Sequence, residues 1–245
     1  MAKTSGLGDA CYVGGYDLSG DVGNLNRIGG GPALLDVTAI NSSAMERIGG
    51  LRDGAIEFVA FHNTVASREH VALAPLPTAD TIVTYARGTT LGNPGACCTA
   101  KQVNYDPSRA ADGMFTFAVS AQSNGTGIEW GEQLTAGLKT DTTATNGTAI
   151  DFGSVSTLFG WQAYLQVTAF TGTSVTVTLQ DSADNAAFAN LTGGAFAAKS
   201  AIGTERLASA AGATVRRYVR AITSGTFSSA TFSVVFVRNL TTVVF

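Results

Sequence analysis

Tyr164-Leu165-Gln166-Val167-Thr168-Ala169-Phe170-Thr171-Gly172-Thr173-Ser174-Val175-Thr176-Val177-Thr178-Leu179-Gln180 is the stretch that decides the fold class. In its first half Leu165, Val167 and Ala169 alternate with Tyr164, Gln166, Thr168 and Phe170. In its second half Val175, Val177 and Leu179 alternate with Thr176, Thr178 and Gln180. Successive side chains of a strand point to opposite faces, so this period of two marks half-buried β-strands. Thr171-Gly172-Thr173 between the two runs predicts a hairpin connection. The pattern returns toward the C-terminus. Val215, Val219 and Ala221 alternate with Arg216, Tyr218 and Arg220, and Phe232, Val234 and Phe236 alternate with Ser233, Val235 and Val237. Thr223-Ser224-Gly225-Thr226 reads as the turn between those runs. The C-terminal third is therefore expected to be a small antiparallel β-sandwich.

Toward the N-terminus, residues 36–40, 55–61, 81–85 and 114–120 also read as strands. Ser42-Ser43-Ala44-Met45-Glu46-Arg47 predicts a short helix capped by Ser42 or Ser43, and a second short helix is expected near Ser67. Long helical periodicity is absent. Gly29-Gly30-Gly31-Pro32 lacks the Lys-Ser/Thr ending of a phosphate loop, and Pro32 has no N–H to offer a phosphate, so it predicts a turn. The expected fold class is all-β: a sandwich or barrel domain with a short flanking helix, followed by an antiparallel sandwich. Residues 139–156 include Thr142-Thr143-Ala144-Thr145-Asn146-Gly147-Thr148, small and polar with no hydrophobic period, and predict a linker. We divide the chain there, into 1–145 and 146–245. The first part carries nine Lys and Arg against fourteen Asp and Glu, a net −5; the second carries six against four, a net +2.

Composition narrows the function classes. The chain has 245 residues, enough for a core without a disulfide or metal staple. Charged residues make up 13%, well below the roughly 25% of an average soluble domain. A folded protein with so few charges has little to keep its copies apart, and contact with other subunits is one use of such a surface. The net charge of −3 and the lack of a Lys/Arg run offer no attraction for nucleic-acid phosphate. Cys11, Cys97 and Cys98 are an odd set with two adjacent members, expected to be reduced thiols of a cytoplasm. The opening Met1-Ala2-Lys3-Thr4-Ser5-Gly6 has no apolar signal-peptide core, and no apolar run is long enough to span a bilayer.

No catalytic, cofactor or metal signature emerges. His62 and His70 sit in no recognisable triad, and His62 reads as a strand-end histidine. Cys97-Cys98 lacks the two-residue spacer of a zinc pair. Asp181-Ser182-Ala183-Asp184-Asn185 offers oxygen ligands without the glycine and glutamate of an EF-hand loop, and is expected to be a turn. Asp17 and Asp21 have no pocket signature around them, and are expected on a polar strand or turn. Arg216, Arg217 and Arg220 interleave with Tyr218, a pattern that single-strand binders use, but with so small a charge excess the expectation is Arg stacked on Tyr at a solvated or subunit-facing strand. The chain is expected to be non-enzymatic.

One ordered set of motifs carries a resemblance. Tyr16-Asp17-Leu18-Ser19-Gly20-Asp21-Val22 is followed by Leu35-Asp36-Val37-Thr38, then Glu46-Arg47-Ile48 and Gly50-Leu51-Arg52-Asp53-Gly54, leading into the strand at 55–61. In that order the pattern resembles the major tail tube proteins of long-tailed bacteriophages, over residues 12–63. The resemblance implies a structural virion protein made in the host cytoplasm and located in the virion tail. It implies self-assembly into stacked six-membered rings, contact with other tail proteins, and passage of double-stranded DNA without a membrane partner or cofactor. It also places Asp17, Asp21, Arg47, Arg52 and Asp53 at subunit contacts, with Gly49-Gly50 and Asp53-Gly54 as tight turns. Residues 156–245 look like the outer β-sandwich that some members of that family carry. The competing readings are a capsid decoration or distal tail protein, which would share the Thr-rich β composition, and a carbohydrate-binding module suggested by Trp161 and residues 181–185.

Overall fold

The computed structural model describes residues 5–76, 78–153 and 155–242. Its strands are β1 (Ala10–Val13), β2 (Tyr16–Asp17), β3 (Val22–Asp36), β4 (Arg47–Phe61), β5 (Thr81–Ala86), β6 (Pro94–Arg109), β7 (Phe115–Ser123), β8 (Glu129–Gln133), β9 (Lys139–Asp141), β10 (Ile150–Asp151), β11 (Trp161–Ser182), β12 (Ala189–Ala195), β13 (Gly203–Ala208) and β14 (Tyr218–Arg238). One short helix, α1 (Glu69–Leu73), lies between β4 and β5. The chain is all-β with a flanking helix near Ser67, as its alternation implies.

The deciding stretch forms one strand, and the expected hairpin at 171–173 is not there. β11 runs unbroken for 22 residues and pairs along its length with β14, from Trp161 opposite Arg238 to Ser182 opposite Tyr218. The expected turn at 223–226 likewise lies inside β14. The glycines serve a bend instead. The register shifts on either side of Gly172, where a Cβ would stand 2.4 Å from the Phe227 Cα. Gly225 has φ 119°, and a Cβ there would meet the Ser174 carbonyl oxygen at 2.3 Å. Two backbones this close leave no room for a side chain, so glycine is required at the Gly172 bulge and at Gly225 beside it. The bend carries the ribbon around a corner. Leu165 and Val167 from its first half then share one core with Val177 and Leu179 from its second, together with Trp161 and Phe236. β13 and β8 flank the first half of the ribbon, and β12 and β10 flank the second. The result is a sandwich built from two bent strands and short edge strands.

Residues 161–167 are buried on both faces, which alternation alone does not predict. The face of Tyr164 and Gln166 packs toward the N-terminal half. Tyr164 and Val235 meet Ile82 and Cys97 in a small apolar cluster. Gln166 is the polar lock of that junction: its Oε1 accepts from the Gly15 N–H at 2.9 Å, and its Nε2 donates to the Ile82 carbonyl at 2.9 Å. A buried amide is stable only with its hydrogen bonds made.

The N-terminal half is a second sandwich. β2, β1, β5 and the first part of β6 form one layer; the second part of β6 with β7, β4 and β3 forms the other. Between them lie Val13, Leu18, Phe58, Val83 and Val119, with Leu73 of α1 closing one end. Cys11, Cys97 and Cys98 are buried and unbridged. Burial raises the Cys11 and Cys98 thiols to about 12, so they stay protonated and unreactive. The helix expected at 42–47 is absent. Residues 42–46 lie in the tip between β3 and β4 and Arg47 opens β4; at the tip the Glu46 N–H donates to Thr38 Oγ1 and the Val37 N–H to the Glu46 carbonyl. Side chains that bond the backbone locally compete with a helix, and here they close a tip.

We keep 1–145 and 146–245 as a proposed division into folding units. The stretch between them lies along β14: β9 pairs with it, Thr145 exchanges backbone hydrogen bonds with Thr223, and the Gly147 N–H donates to the Ala221 carbonyl. β8 and Leu134, from before position 146, join the strands and core that follow it. Residues 142–144 and 146 are exposed. Limited proteolysis should therefore cut first within 142–148 and leave two pieces that co-elute on gel filtration until denatured. First cuts inside β11, or pieces that separate in native buffer, would rule the division out.

Candidate assembly surface

The surface stretch that stands apart is the β3–β4 hairpin. β4 pairs with β7 over residues 55–61, so, among the described residues, 47–54 have β3 as their one ladder partner. Among the described residues β3 pairs with β4 alone, leaving its other edge, 15 residues long, open. The outer part of the hairpin is thus a two-stranded arm. It is apolar as well as exposed: Leu34 is 70% accessible, Leu51 89% and Ile40 106%, with Leu35, Met45 and Ile48 also exposed. A lone two-stranded ribbon is marginal in water, and an open edge strand is a template for pairing. Both features ask for another surface to cover them.

The glycine motifs build this arm and are not turns. Gly29-Gly30-Gly31-Pro32 lies in the middle of β3. A Cβ on Gly30 would stand 2.1 Å from the Asp53 carbonyl oxygen and 2.3 Å from the Gly54 Cα, so the two strands cross closely there. Pro32, which cannot donate to a ladder, sits where an edge strand tolerates it. Gly49, Gly50 and Gly54 are strand residues of β4 without positive φ, and Gly54 instead allows close approach of Ile128.

The five residues expected at subunit contacts fall into two groups. Arg47, Arg52 and Asp53 are on the exposed arm. Asp53 is already engaged within the chain, accepting from Gln122 Nε2 at 2.9 Å, from Ser123 Oγ and from the Gly54 N–H. The Gln122 bond comes first among the causes that lower its pKa. Asp17 and Asp21 lie away from the arm. Asp17 closes a turn by accepting from Ser19 N–H and Oγ. Asp21 is 6% accessible, its carboxylate taking Asn63 Nδ2 and the Glu69 N–H. The apolar arm residues Leu34, Leu35, Ile48 and Leu51 did not register in the sequence as surface, because apolar strand residues read as core.

A cleft of about 840 Å³ opens beneath the arm, lined in part by Gly50, Leu51, Gly127 and Ser209. Glu129 and Arg206 line it too. Arg206 Nη2 donates to Glu129 Oε1 at 2.8 Å, its Nε donates to Oε2 at 3.1 Å, and the Tyr164 hydroxyl donates to the same Oε2. Burial and then the Glu129 charge raise the Tyr164 pKa. Each member of this group satisfies another, which suits a structural brace and leaves no free acid or base.

The remaining candidates resolve as ordinary structure. Asp184 accepts from Ala186 and Ala187 N–H and from Ser182 Oγ, a closed turn whose backbone donors lower its pKa to about 2. Asp181 holds Arg216 through two oxygens' worth of hydrogen bonds, from Arg216 N–H at 2.8 Å and Nε at 2.9 Å. Arg217 pairs with Asp151 and lies over the Tyr218 ring at 5.0 Å, as expected of Arg on Tyr. Arg220 donates to Gln180 and covers Phe188 at 3.9 Å. Trp161 is buried and stacked on Phe236, so it offers no sugar platform.

No protein-family model matches the sequence, and no curated protein matches it. Among solved structures, the tail of an empty GTA particle with C6 symmetry is similar at a TM-score of 0.37 and 14% identity, over 46% of this chain and 84% of that one. The Dit protein of SPP1, from the hub adsorption apparatus of phages that infect Gram-positive hosts, is similar at a TM-score of 0.34 and 10% identity, over 95% of this chain and 99% of that one. Both neighbours belong to phage or phage-like particles, and TM-scores of 0.37 and 0.34 mark a distant likeness.

Proposed function

We propose that the chain is a non-enzymatic structural protein of a phage tail that polymerises as stacked rings, forming the tail tube. The single observation that carries this reading is the apolar, unpartnered β3–β4 arm, which bears the Leu35–Thr38 and Gly50–Gly54 motifs of the tail-tube resemblance. A second copy of the chain is the partner that fits: the arm offers an open strand edge and apolar side chains, and ring closure removes both from water. The cleft beneath the arm is where a neighbour's segment would insert. Arg47 and Arg52 would make polar contacts at its rim.

The net −5 of residues 1–145 supports a channel that lets duplex DNA slide, since acidic groups facing a lumen repel phosphate. Arg216, Arg217 and Arg220 have carboxylate, amide or ring partners within the chain, so they favour contacts other than DNA. The reading is tested by gel filtration with light scattering over a rising protein concentration, followed by duplex binding at low salt. We expect large, regular oligomers that do not retain DNA. A species that stays monomeric at high micromolar concentration, even with tail-tip components added, would sink the tube reading. Tight, salt-sensitive duplex binding by the oligomer would remove the channel part of it.

A further inference from the structure

We propose that His62, Glu69 and His70 form a binding site for one divalent transition-metal ion of the zinc class. His62 directly follows β4, while Glu69 and His70 open α1. One ligand atom from each residue lies within 4.8 Å of the others. Two imidazoles and a carboxylate are a donor set that suits zinc, cobalt or nickel, with a fourth position left for water or another ligand.

An independent observation points to a cation. Glu69 is fully buried, and its Oε1 has no hydrogen-bond donor. Its Oε2 accepts from the Asn63 N–H at 3.2 Å and stands 3.9 Å from His62 Nδ1. Tyr105 Oη lies beside Glu69, and burial followed by its hydrogen bonding toward that carboxylate raises the phenol pKa, but the hydroxyl is engaged with His70 Nδ1 at 2.9 Å and does not meet full hydrogen-bond geometry at Oε1. A buried carboxylate oxygen without a donor is costly, and a bound cation removes that cost.

The surroundings resemble a built site. Tyr105 Oη is 2.9 Å from His70 Nδ1 and so fixes the orientation of that ring, the role an outer partner plays for ligating histidines. Asp21 accepts from the Glu69 N–H and from Asn63, which anchors the loop on both sides of the cluster. Phe115 and Phe117 pack against His62 at 5.2 and 5.3 Å between centroids and form an apolar wall. His62 keeps 31% of its side chain accessible, which gives an ion a way in. Occupation would tie α1 to the end of β4.

The test is titration of the chelator-treated full chain with Co²⁺, followed by competition with Zn²⁺. The expected result is one Co²⁺ per chain, seen as visible ligand-field absorption and displaced by Zn²⁺. Zn²⁺ at about a hundredfold over its Kd should raise Tm by about 5–10 °C. His62→Ala, at the most open position of the three, should fold and lose at least about tenfold in affinity. Tyr105→Phe should bind roughly tenfold or more weakly while keeping the stoichiometry. Glu69→Gln should abolish the absorption; should that variant fail to fold, His62→Ala decides. Absence of stoichiometric Co²⁺ and Zn²⁺ binding, or unchanged affinity in both His62→Ala and His70→Ala, would overturn the proposal and leave His62 as an ordinary neighbour of a buried carboxylate.

Discussion

Replacing Leu35, Ile48 and Leu51 together by threonine should abolish assembly while the monomer still folds. All three lie on the exposed arm, outside both cores. Threonine keeps the preference for strand, and exposed substitutions of this kind change stability by no more than about 0.5 kcal/mol each. In an assembled ring the same side chains would be buried. Full burial of an exposed side chain of this kind is worth about 1.5–3 kcal/mol, and Leu35 and Ile48 start about half exposed and Leu51 89%, so the triple change removes about 3–5 kcal/mol per subunit contact. That is roughly a hundredfold or more in association. Circular dichroism and thermal melting should match the parent protein, and light scattering should show monomer alone. Normal oligomers from the triple variant would mean that the arm is not the joint.

The second large effect is expected at Glu129, and it concerns the fold. Glu129→Ala should destabilise the monomer by about 3 kcal/mol, because it leaves the Arg206 guanidinium and the Tyr164 hydroxyl without their acceptor in a mostly buried setting. The carboxylate spans the junction of the two halves: β8 carries Glu129, β11 carries Tyr164 and β13 carries Arg206. Replacing Glu129 and Arg206 together by leucine and methionine should recover the part of that loss due to the unpaired guanidinium, and changing Tyr164 to phenylalanine as well should recover the part due to its hydroxyl. Urea unfolding of the single, double and triple variants measures these values. A single variant with an unchanged urea midpoint would show that solvent from the adjoining cleft already screens the pair.

The strand class was legible because alternation survives whatever the strands pair with. Val177 and Leu179 face a core, and Val175 is buried, whether β11 turns back on itself or bends around a corner. What alternation does not carry is which of those happens at Gly172. A hairpin needs a glycine for its φ, and a bulge needs one for close approach, so the same residue serves both. The same ambiguity turned the Gly29-to-Pro32 and Gly50-to-Gly54 motifs into expected turns, when they are the crossing point and one strand of a long ribbon. Burial on the second face of residues 161–167 comes from the N-terminal half, a contact more than 80 residues away along the chain, as between Gln166 and Ile82.

The candidate sites show the same limit. The turn at Asp184 and the stacking of Arg217 on Tyr218 were legible because their partners are local. Asp21 read as a surface acid, yet it is buried by residues 63 and 69, which only the fold brings to it. His62 and Glu69 are seven positions apart, a spacing that shares a face only in a helix, and the segment between them is an irregular loop. The arm's leucines were invisible as surface because an apolar residue in a strand reads as core, and the sequence does not say that β3 and the outer part of β4 lack a second sheet against them.

The most direct test of the account is an electron micrograph of the purified, concentrated protein. The account predicts long tubes of uniform diameter with a regular axial repeat of stacked rings and a central channel. Dispersed single particles with no rings at any concentration, in a sample whose circular dichroism shows an intact β-fold, would contradict it.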